Sequence, residues 1–199
     1  IDCGANAECT PEYLVQFAYL GSFYAQQVLG LERPRVGLLN IGAEDSKGTD
    51  LQKQTLARLK EADAAGHLHF IGNIEAKEAI KGGCDVIVTD GFSGNILLKT
   101  MEGVGSFAGS ALKSMFKKNL LTKLAALAVM PGLNAFKDRL DPNKVGGTAF
   151  IGISKAVIKA HGASNAEAIE NAVGQAAAFA RSGLIEKIEE NVNLMKIEQ

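Results

Sequence analysis

The chain has 199 residues, 47% of them hydrophobic and 22% charged, which is enough apolar material for the core of one domain and too much for a disordered segment. Its 21 basic and 22 acidic residues nearly cancel and aromatics are sparse, so no nucleic-acid partner is expected. Three cysteines, Cys3, Cys9 and Cys84, lack CxxC spacing and give neither a disulfide framework nor a zinc site; they fit a reducing cytoplasm, and no apolar run of about 18 residues is present to span a bilayer.

Ile1-Asp2-Cys3-Gly4 reads as the end of a strand entering a loop, and with no initiating methionine the true N-terminus is expected further upstream. Thr10 before Pro11 and Glu12 marks a helix start, since the hydroxyl caps free amides and proline suits the first turn; the helix is expected to run to about Leu29 and stop at Gly30. Arg35 to Ile41 is a short branched apolar run, the pattern of a strand covered on both faces. A helix over Asp50–Ala64, a strand over Leu68–Ile71, a short helix over Glu75–Lys81 and a strand over Cys84–Thr89 follow. Cys84 is expected to be a core residue rather than a nucleophile.

A loop from Asp90 to Asn95 then precedes a long helical region. Within it, residues 115–140 alternate apolar side chains such as Phe116, Leu120, Leu124, Leu127 and Phe136 with Lys117, Lys118, Lys123, Lys137 and Arg139. Pro131-Gly132 is expected to break this stretch into two arms, each with an apolar side and basic edges, which suits a membrane surface, a buried hairpin or a dimer interface. Lys155–Ala160 gives a last strand, and Ser164 and Glu167 have capping-box spacing before a helix reaching about Ile188. Alternating strands and helices predict an α/β fold, a mostly parallel sheet with helices on both faces, where ligands sit beyond the carboxyl ends of strands.

Those strand-end loops hold the candidate chemistry. Asn40 to Thr49 joins a strand to a helix and places Lys47, Gly42 and Gly48 beside a helix start, which offers amides and partial positive charge to an anion such as phosphate. The order Lys47-Gly48-Thr49 fails the nucleotide P-loop, which needs Gly-Lys-Ser/Thr, and the plain alternative is a solvated turn with Lys47 paired to Glu44 or Asp45. Asp90, Gly91, Ser93, Gly94 and Asn95 form a second strand-to-helix loop, in which two glycines admit a ligand to backbone amides and Asn95 can donate to a carbonyl oxygen gaining charge. Its alternative is an ordinary cap by Ser93 or Asn95. A third loop carries His161, Gly162 and Ser164, where the histidine serves as acid or base or merely bonds its own loop. The opening Asp2–Asn6 loop is a further polar, glycine-containing strand end.

Five segments in order, Asp2-Cys-Gly-Ala-Asn6, Pro34 through Gly48, Phe70-Ile-Gly-Asn73, Val88 through Asn95 and Lys159 through Ser164, resemble the acyl-acyl carrier protein:phosphate acyltransferase family, PlsX. The resemblance covers almost the whole chain and corresponds to roughly the final three-fifths of a family member. It implies a three-layer α/β/α fold akin to phosphotransacetylases and isopropylmalate dehydrogenases, with residues 1–199 the C-terminal part of a single acyltransferase domain and 115–140 a protruding helical element. It also implies a homodimer, acyl carrier protein and inorganic phosphate as partners, no cofactor or metal, and cytoplasmic location with peripheral membrane contact through 115–140. The family's catalytic lysine and asparagine fall on Lys47 and Asn95, with Asn6, Gly42, Gly48, Asp90, Gly91, Ser93, Gly94, His161, Gly162 and Ser164 as substrate- or phosphate-binding candidates. Where the family often has Tyr-Gly-Gly, this chain has Val145-Gly146-Gly147. The rival expectations are a short-chain phosphate acyltransferase using acyl-coenzyme A, a nicotinamide-dependent dehydrogenase of the same architecture, for which no GxGxxG is present, and a non-catalytic membrane or dimerisation module.

Overall fold

The structure is a computed structural model that describes residues 1–140 and 142–196, with the side chains of 137–143 outside the description. It is an α/β protein, consistent with a three-layer α/β/α arrangement. Its chain divides into two compact units, one of Ile1–Leu97, Phe150–Val157 and Ala176–Gln199, the other of Leu98–Ala149 and Ile158–Gln175.

The first unit is built on a parallel sheet of three strands in the order β2-β1-β3, with β1 at Val36–Asn40, β2 at Phe70–Glu75 and β3 at Val86–Val88. Val36, Leu38 and Val88 are fully buried, as expected for strands covered on both faces, and each contributes about 1.5–3 kcal/mol by leaving water. Helix α1 (Pro11–Gln27) lays Leu14, Ala18 and Phe23 against this core, and α2 (Asp50–Ala64) adds Leu56 and Leu59. Thr10 Oγ1 accepts the Tyr13 amide, so the expected cap forms, while the helix ends two residues earlier than expected. Cys84 is buried, as predicted. Arg35 ties the entry of β1 to that of β3: its backbone amide donates to the Asp85 carboxylate at 2.8 Å, and its guanidinium donates twice to the same carboxylate, at 2.9 and 3.0 Å, and to the carbonyls of Gly82 and Gly83.

Strand β2 starts and ends later than the sequence suggests. Val36 pairs with Phe70 but Leu38 pairs with Asn73, so β2 carries one extra residue at that point, and Gly72 takes the positive φ of 91° that such a bulge uses. An inserted residue reverses the side-chain alternation, and Asn73 is buried beside Ile74 as a result. After α3 (Ala76–Ile80) and β3, the expected loop over 90–95 is instead the first turn of α4 (Gly91–Phe116), because the Asp90 carboxylate accepts the Ser93 amide at 2.8 Å and starts the helix there.

Pro131 does not divide the 115–140 stretch; it lies inside α5 (Leu120–Leu140). The break falls at Asn119, whose carboxamide accepts the Thr122 amide at 2.9 Å while the Thr122 hydroxyl accepts the Asn119 amide at 3.1 Å, a reciprocal cap that begins a new helix. Leu120, Leu121, Leu124 and Leu127 are exposed, so the buried-hairpin expectation does not hold within this chain. The side chains of Lys137, Arg139 and Leu140 lie outside the described residues. A short helix α6 (Pro142–Val145) leads into β4 (Gly147–Phe150), which pairs with β5 (Val157–Ala160) in a separate two-stranded sheet. The expected last strand therefore does not join the parallel sheet. It pairs with β4 instead.

Helix α7 (Ala166–Arg181) is capped by Asn165, which accepts the Ala168 amide at 2.9 Å, rather than by a Ser164–Glu167 box; Glu167 is paired with Lys144 instead. The chain turns at Gly183 into α8 (Leu184–Glu190), ending the helix before Ile188. Within the first unit these C-terminal elements fasten to α1 through the Phe179 ring edge-on to Tyr24, Lys187 over the Phe23 ring, and a 2.7 Å bond from Gln16 to the Met195 carbonyl.

Candidate functional site

Three polar segments meet the carboxyl-terminal edge of the parallel sheet. The first is the opening loop. Ile1 lies along β3, donating to the Ile87 carbonyl at 2.8 Å and accepting the Thr89 amide at 2.9 Å, which fits a strand end entering a loop. Asp2 follows, buried, and its carboxylate accepts four bonds: the amides of Gly4 and Ala5 at 2.9 Å, the Asn6 amide at 2.6 Å and the Asn6 side chain at 3.0 Å. Burial alone would push this carboxyl up, but the donors from Ala5, Asn6 and Gly4 outweigh it and hold the group below the usual aspartate value. Asp2 is thus the residue that shapes the loop, and its signal in sequence was an aspartate followed by Cys-Gly-Ala-Asn, the pattern of a side chain turning back to bond the next amides.

The second segment is the start of α4. The Gly91 amide donates to the Asn6 carbonyl at 2.9 Å and the Gly94 amide to the Asp90 carbonyl at 2.9 Å. A Cβ at Gly91 would stand 2.5 Å from the Asn6 carbonyl oxygen, and one at Gly94 only 1.9 Å from the Asp2 carbonyl oxygen. The two glycines are therefore required by close approach of the opening loop to the helix. Asn95 is exposed, with its carboxamide carbon 3.4 Å from where a Cβ of Gly4 would lie. Asn6, Asp90, Gly91, Ser93, Gly94 and Asn95 are thus drawn into one cluster. Cys9 belongs to it as well, with its thiol 3.4 Å from the Asn6 carbonyl; burial first, then the neighbouring Asp2 and Asp90, push this thiol up and keep it protonated, so it is a poor nucleophile.

The third segment is the loop from Ile41 to Thr49. Leu38 of β1 stands opposite Val88 of β3, so the chain leaves the sheet on adjacent strands, which lie about 4.8 Å apart, to form this loop and the α4 start. Two strand-end asparagines hold the loop. Asn40 accepts the Ile41 amide at 2.8 Å and donates to the Lys47 carbonyl at 3.2 Å. Asn73 of β2 donates to the Glu44 carbonyl at 3.0 Å, the same carbonyl that accepts the Lys47 amide at 3.1 Å. Gly48 sits at φ 88°, and a Cβ there would meet both the Asn40 carboxamide and Gln52 within 2.9 Å. The Lys47 side chain is exposed and runs past Gly42; Asp45 pairs with Lys60 rather than with Lys47. A capping box of Thr49 and Gln52 starts α2. Neither Asn40 nor Asn73 was singled out from the sequence, and their positions at the ends of strands were the available signal.

His161, Gly162 and Ser164 belong to the second unit. His161 is exposed and its Nδ1 accepts the Ala163 amide at 3.1 Å, while its carbonyl accepts the Ser164 amide at 3.0 Å, so in this structure the ring bonds its own loop. Also in that unit, Gly146 packs so tightly on α7 that a Cβ would lie 2.4 Å from the Ala172 amide nitrogen, and Gly147 is similarly close to β5.

With this geometry established, comparison with known proteins is decisive: a family model described as "Fatty acid synthesis protein" matches residues 1–187. The chain belongs to that family. It is 46% identical over 192 residues to a phosphate acyltransferase of Brevibacillus brevis, covering 96% of this chain and 56% of that protein. It is 47% identical over 193 residues to a phosphate acyltransferase of Alkaliphilus oremlandii, covering 97% and 56%, and 44% identical over 198 residues to one of Lysinibacillus sphaericus, covering 100% and 59%. The chain thus spans little more than half the length of these curated relatives.

Proposed function

We propose that this chain is the C-terminal part of a single phosphate acyltransferase domain that moves a long-chain fatty acyl group from acyl carrier protein onto inorganic phosphate. The observation that carries the reading is the placement of the Lys47 loop and the Asn95 turn at the ends of adjacent parallel strands, in a chain whose relatives are named phosphate acyltransferases. On this reading Lys47 and the amides near Gly42 and Gly48 hold phosphate, and Asn95 donates to the thioester oxygen. A phosphate oxygen bonds to the thioester carbon, and the carbonyl electron pair moves onto oxygen. It returns as the carbon–sulfur bond breaks, leaving acyl phosphate and a carrier thiolate that is protonated from solvent. Phosphate is already nucleophilic near neutral pH, so alignment of two reactants and oxyanion stabilisation are the protein's main tasks. Asn6, Asp90, Gly91, Ser93 and Gly94 shape the second loop.

The same reading includes a homodimer and a peripheral contact with the cytoplasmic membrane through 115–140. It is supported by the exposed apolar side chains of Leu120, Leu121, Leu124 and Leu127, with Lys117, Lys118 and Lys123 close in sequence, although no helix among the described residues is long and apolar enough to cross a bilayer. Flotation with anionic vesicles and sedimentation equilibrium test these two contacts.

The decisive experiment incubates the chain, alone and extended by the N-terminal segment of a curated relative, with palmitoyl-acyl carrier protein and phosphate, and traps acyl phosphate with hydroxylamine. Phosphate-dependent product from the extended form is the expected result. Product only from acetyl-coenzyme A would replace the long-chain donor with a short-chain one, and no acyl phosphate from either donor would refute the reading.

A further inference from the structure

We infer that Asn73 is a positioning residue for the phosphate-binding loop, acting through the turn that presents Lys47; the inference rests on the phosphate acyltransferase reading above. Asn73 is 8% exposed and its amide nitrogen donates to the Glu44 carbonyl at 3.0 Å. That carbonyl also accepts the Lys47 amide, so one oxygen joins β2, the turn and the backbone of Lys47. The arrangement depends on the bulge at Gly72, which turns Asn73 inward where regular alternation would place an exposed residue.

Stability alone does not account for an amide at this position. The Asn73 Oδ1 is buried and has no hydrogen-bond donor among the described residues, a costly state for a carbonyl oxygen. The Glu44 carbonyl would still be satisfied by Lys47 if Asn73 were apolar. Leucine has nearly the shape of asparagine and would remove the orphan acceptor, so the polar group at this position costs stability. What it gains is a fixed distance between the rigid sheet and an otherwise exposed loop. Departures of this kind from the most stable choice concentrate where a side chain serves function.

The test is Asn73→Leu in the extended, active protein, read as separate KM values for phosphate and for acyl carrier protein donor, with the melting temperature measured alongside. Loss of one tethering hydrogen bond predicts a phosphate KM raised about three- to tenfold, with donor KM and kcat within about twofold and melting within about 2 °C of the unsubstituted protein. A substitution that merely unfolds a fraction of the molecules lowers kcat and leaves the phosphate KM alone, and that outcome overturns the inference. So does a parallel rise in both KM values, which would mark general distortion. Asn73→Ala is the second variant, and if neither variant folds, Asn73 is a core requirement and the positioning role is refuted. An unsubstituted protein without phosphate-dependent turnover would instead overturn the functional reading itself.

Discussion

Replacing Gly94 by alanine should damage this protein, whereas the same change nine residues along the same helix should strengthen it. At Gly94 the added methyl would stand 1.9 Å from the Asp2 carbonyl oxygen and 2.8 Å from the Thr89 side chain, and the first contact is with backbone that cannot rotate away. At Gly103 nothing lies within 4 Å. Overpacking against backbone belongs at the upper end of the usual 1–3 kcal/mol, so after the gain of about 0.5–1 kcal/mol for removing a helical glycine the net loss is about 2 kcal/mol. For a chain of this size that is a melting temperature lower by roughly 4–8 °C, against a rise of about 1–4 °C for Gly103→Ala. Release of residues 1–6 from the helix is the other way to relieve the clash, and it would expose the Gly4, Ala5 and Asn6 amides that Asp2 now holds. Hydrogen exchange at these amides therefore accompanies the melting curve. Unchanged melting together with unchanged protection of the three amides in Gly94→Ala would refute the packing argument.

Other changes separate the loops. Asp2→Asn keeps one acceptor but turns an amide group towards donors, so it should loosen the Asn6 bonds and cost about 1.5–3 kcal/mol, read by denaturant unfolding. Because Asp2 is held below its ordinary value, its stabilisation is complete above about pH 4 and is lost as pH falls through the lower folded-state value; melting curves between pH 5 and pH 2 should show a steeper decline for the unsubstituted chain than for Asp2→Asn. On the proposed mechanism, Asn95→Ala in the extended enzyme should lower kcat by about 100- to 1,000-fold, the usual loss for one oxyanion donor, with little change in melting because the side chain is exposed. Lys47→Ala should raise the phosphate KM while leaving the donor KM near its starting value, measured by hydroxylamine trapping at varied phosphate.

Much of the frame was legible because it follows from local chemistry. The Thr10-Pro11 start, the α2 boundaries and the buried β1 run come from residues whose preferences are satisfied by their near neighbours. The misreadings came from distant contacts or from a cap one residue away from the one chosen. Nothing local in Phe70-Ile-Gly-Asn73 announces that Gly72 makes a bulge, since pairing with β1 decides it. Pro131 is strong local punctuation, yet the break falls at the Asn119 cap, and β5 leaves the parallel sheet because it pairs with β4. At the site, the glycines of the second loop were noticed for the freedom they give a ligand, but in the structure their absent side chains make room for the Asp2–Asn6 loop. That loop is far away in sequence, so the reason was invisible there.

The charges at the sheet edge give the two loops different capacities for anions. Asp2 and Asp90 are both carboxylates, and they engage the amides of Gly4, Ala5, Asn6 and Ser93, while carbonyls engage those of Gly91 and Gly94. A phosphate approaching the α4 start would meet negative charge and few available amides. The Lys47 loop is held in shape by the neutral side chains of Asn40 and Asn73; of its own two carboxylates, Asp45 is paired with Lys60, while Glu44 and Lys47 both lie beside Gly42. On the proposed reading this assigns phosphate to the Lys47 side and the thioester carbonyl, which is uncharged until attacked, to the Asn95 side. The assignment has a kinetic consequence: added inorganic sulfate should compete with phosphate in the extended enzyme, and Asn95→Ala should leave its inhibition constant unchanged while Lys47→Ala raises it. Equal weakening of sulfate inhibition by both substitutions would place the anion between the loops and remove the division of labour.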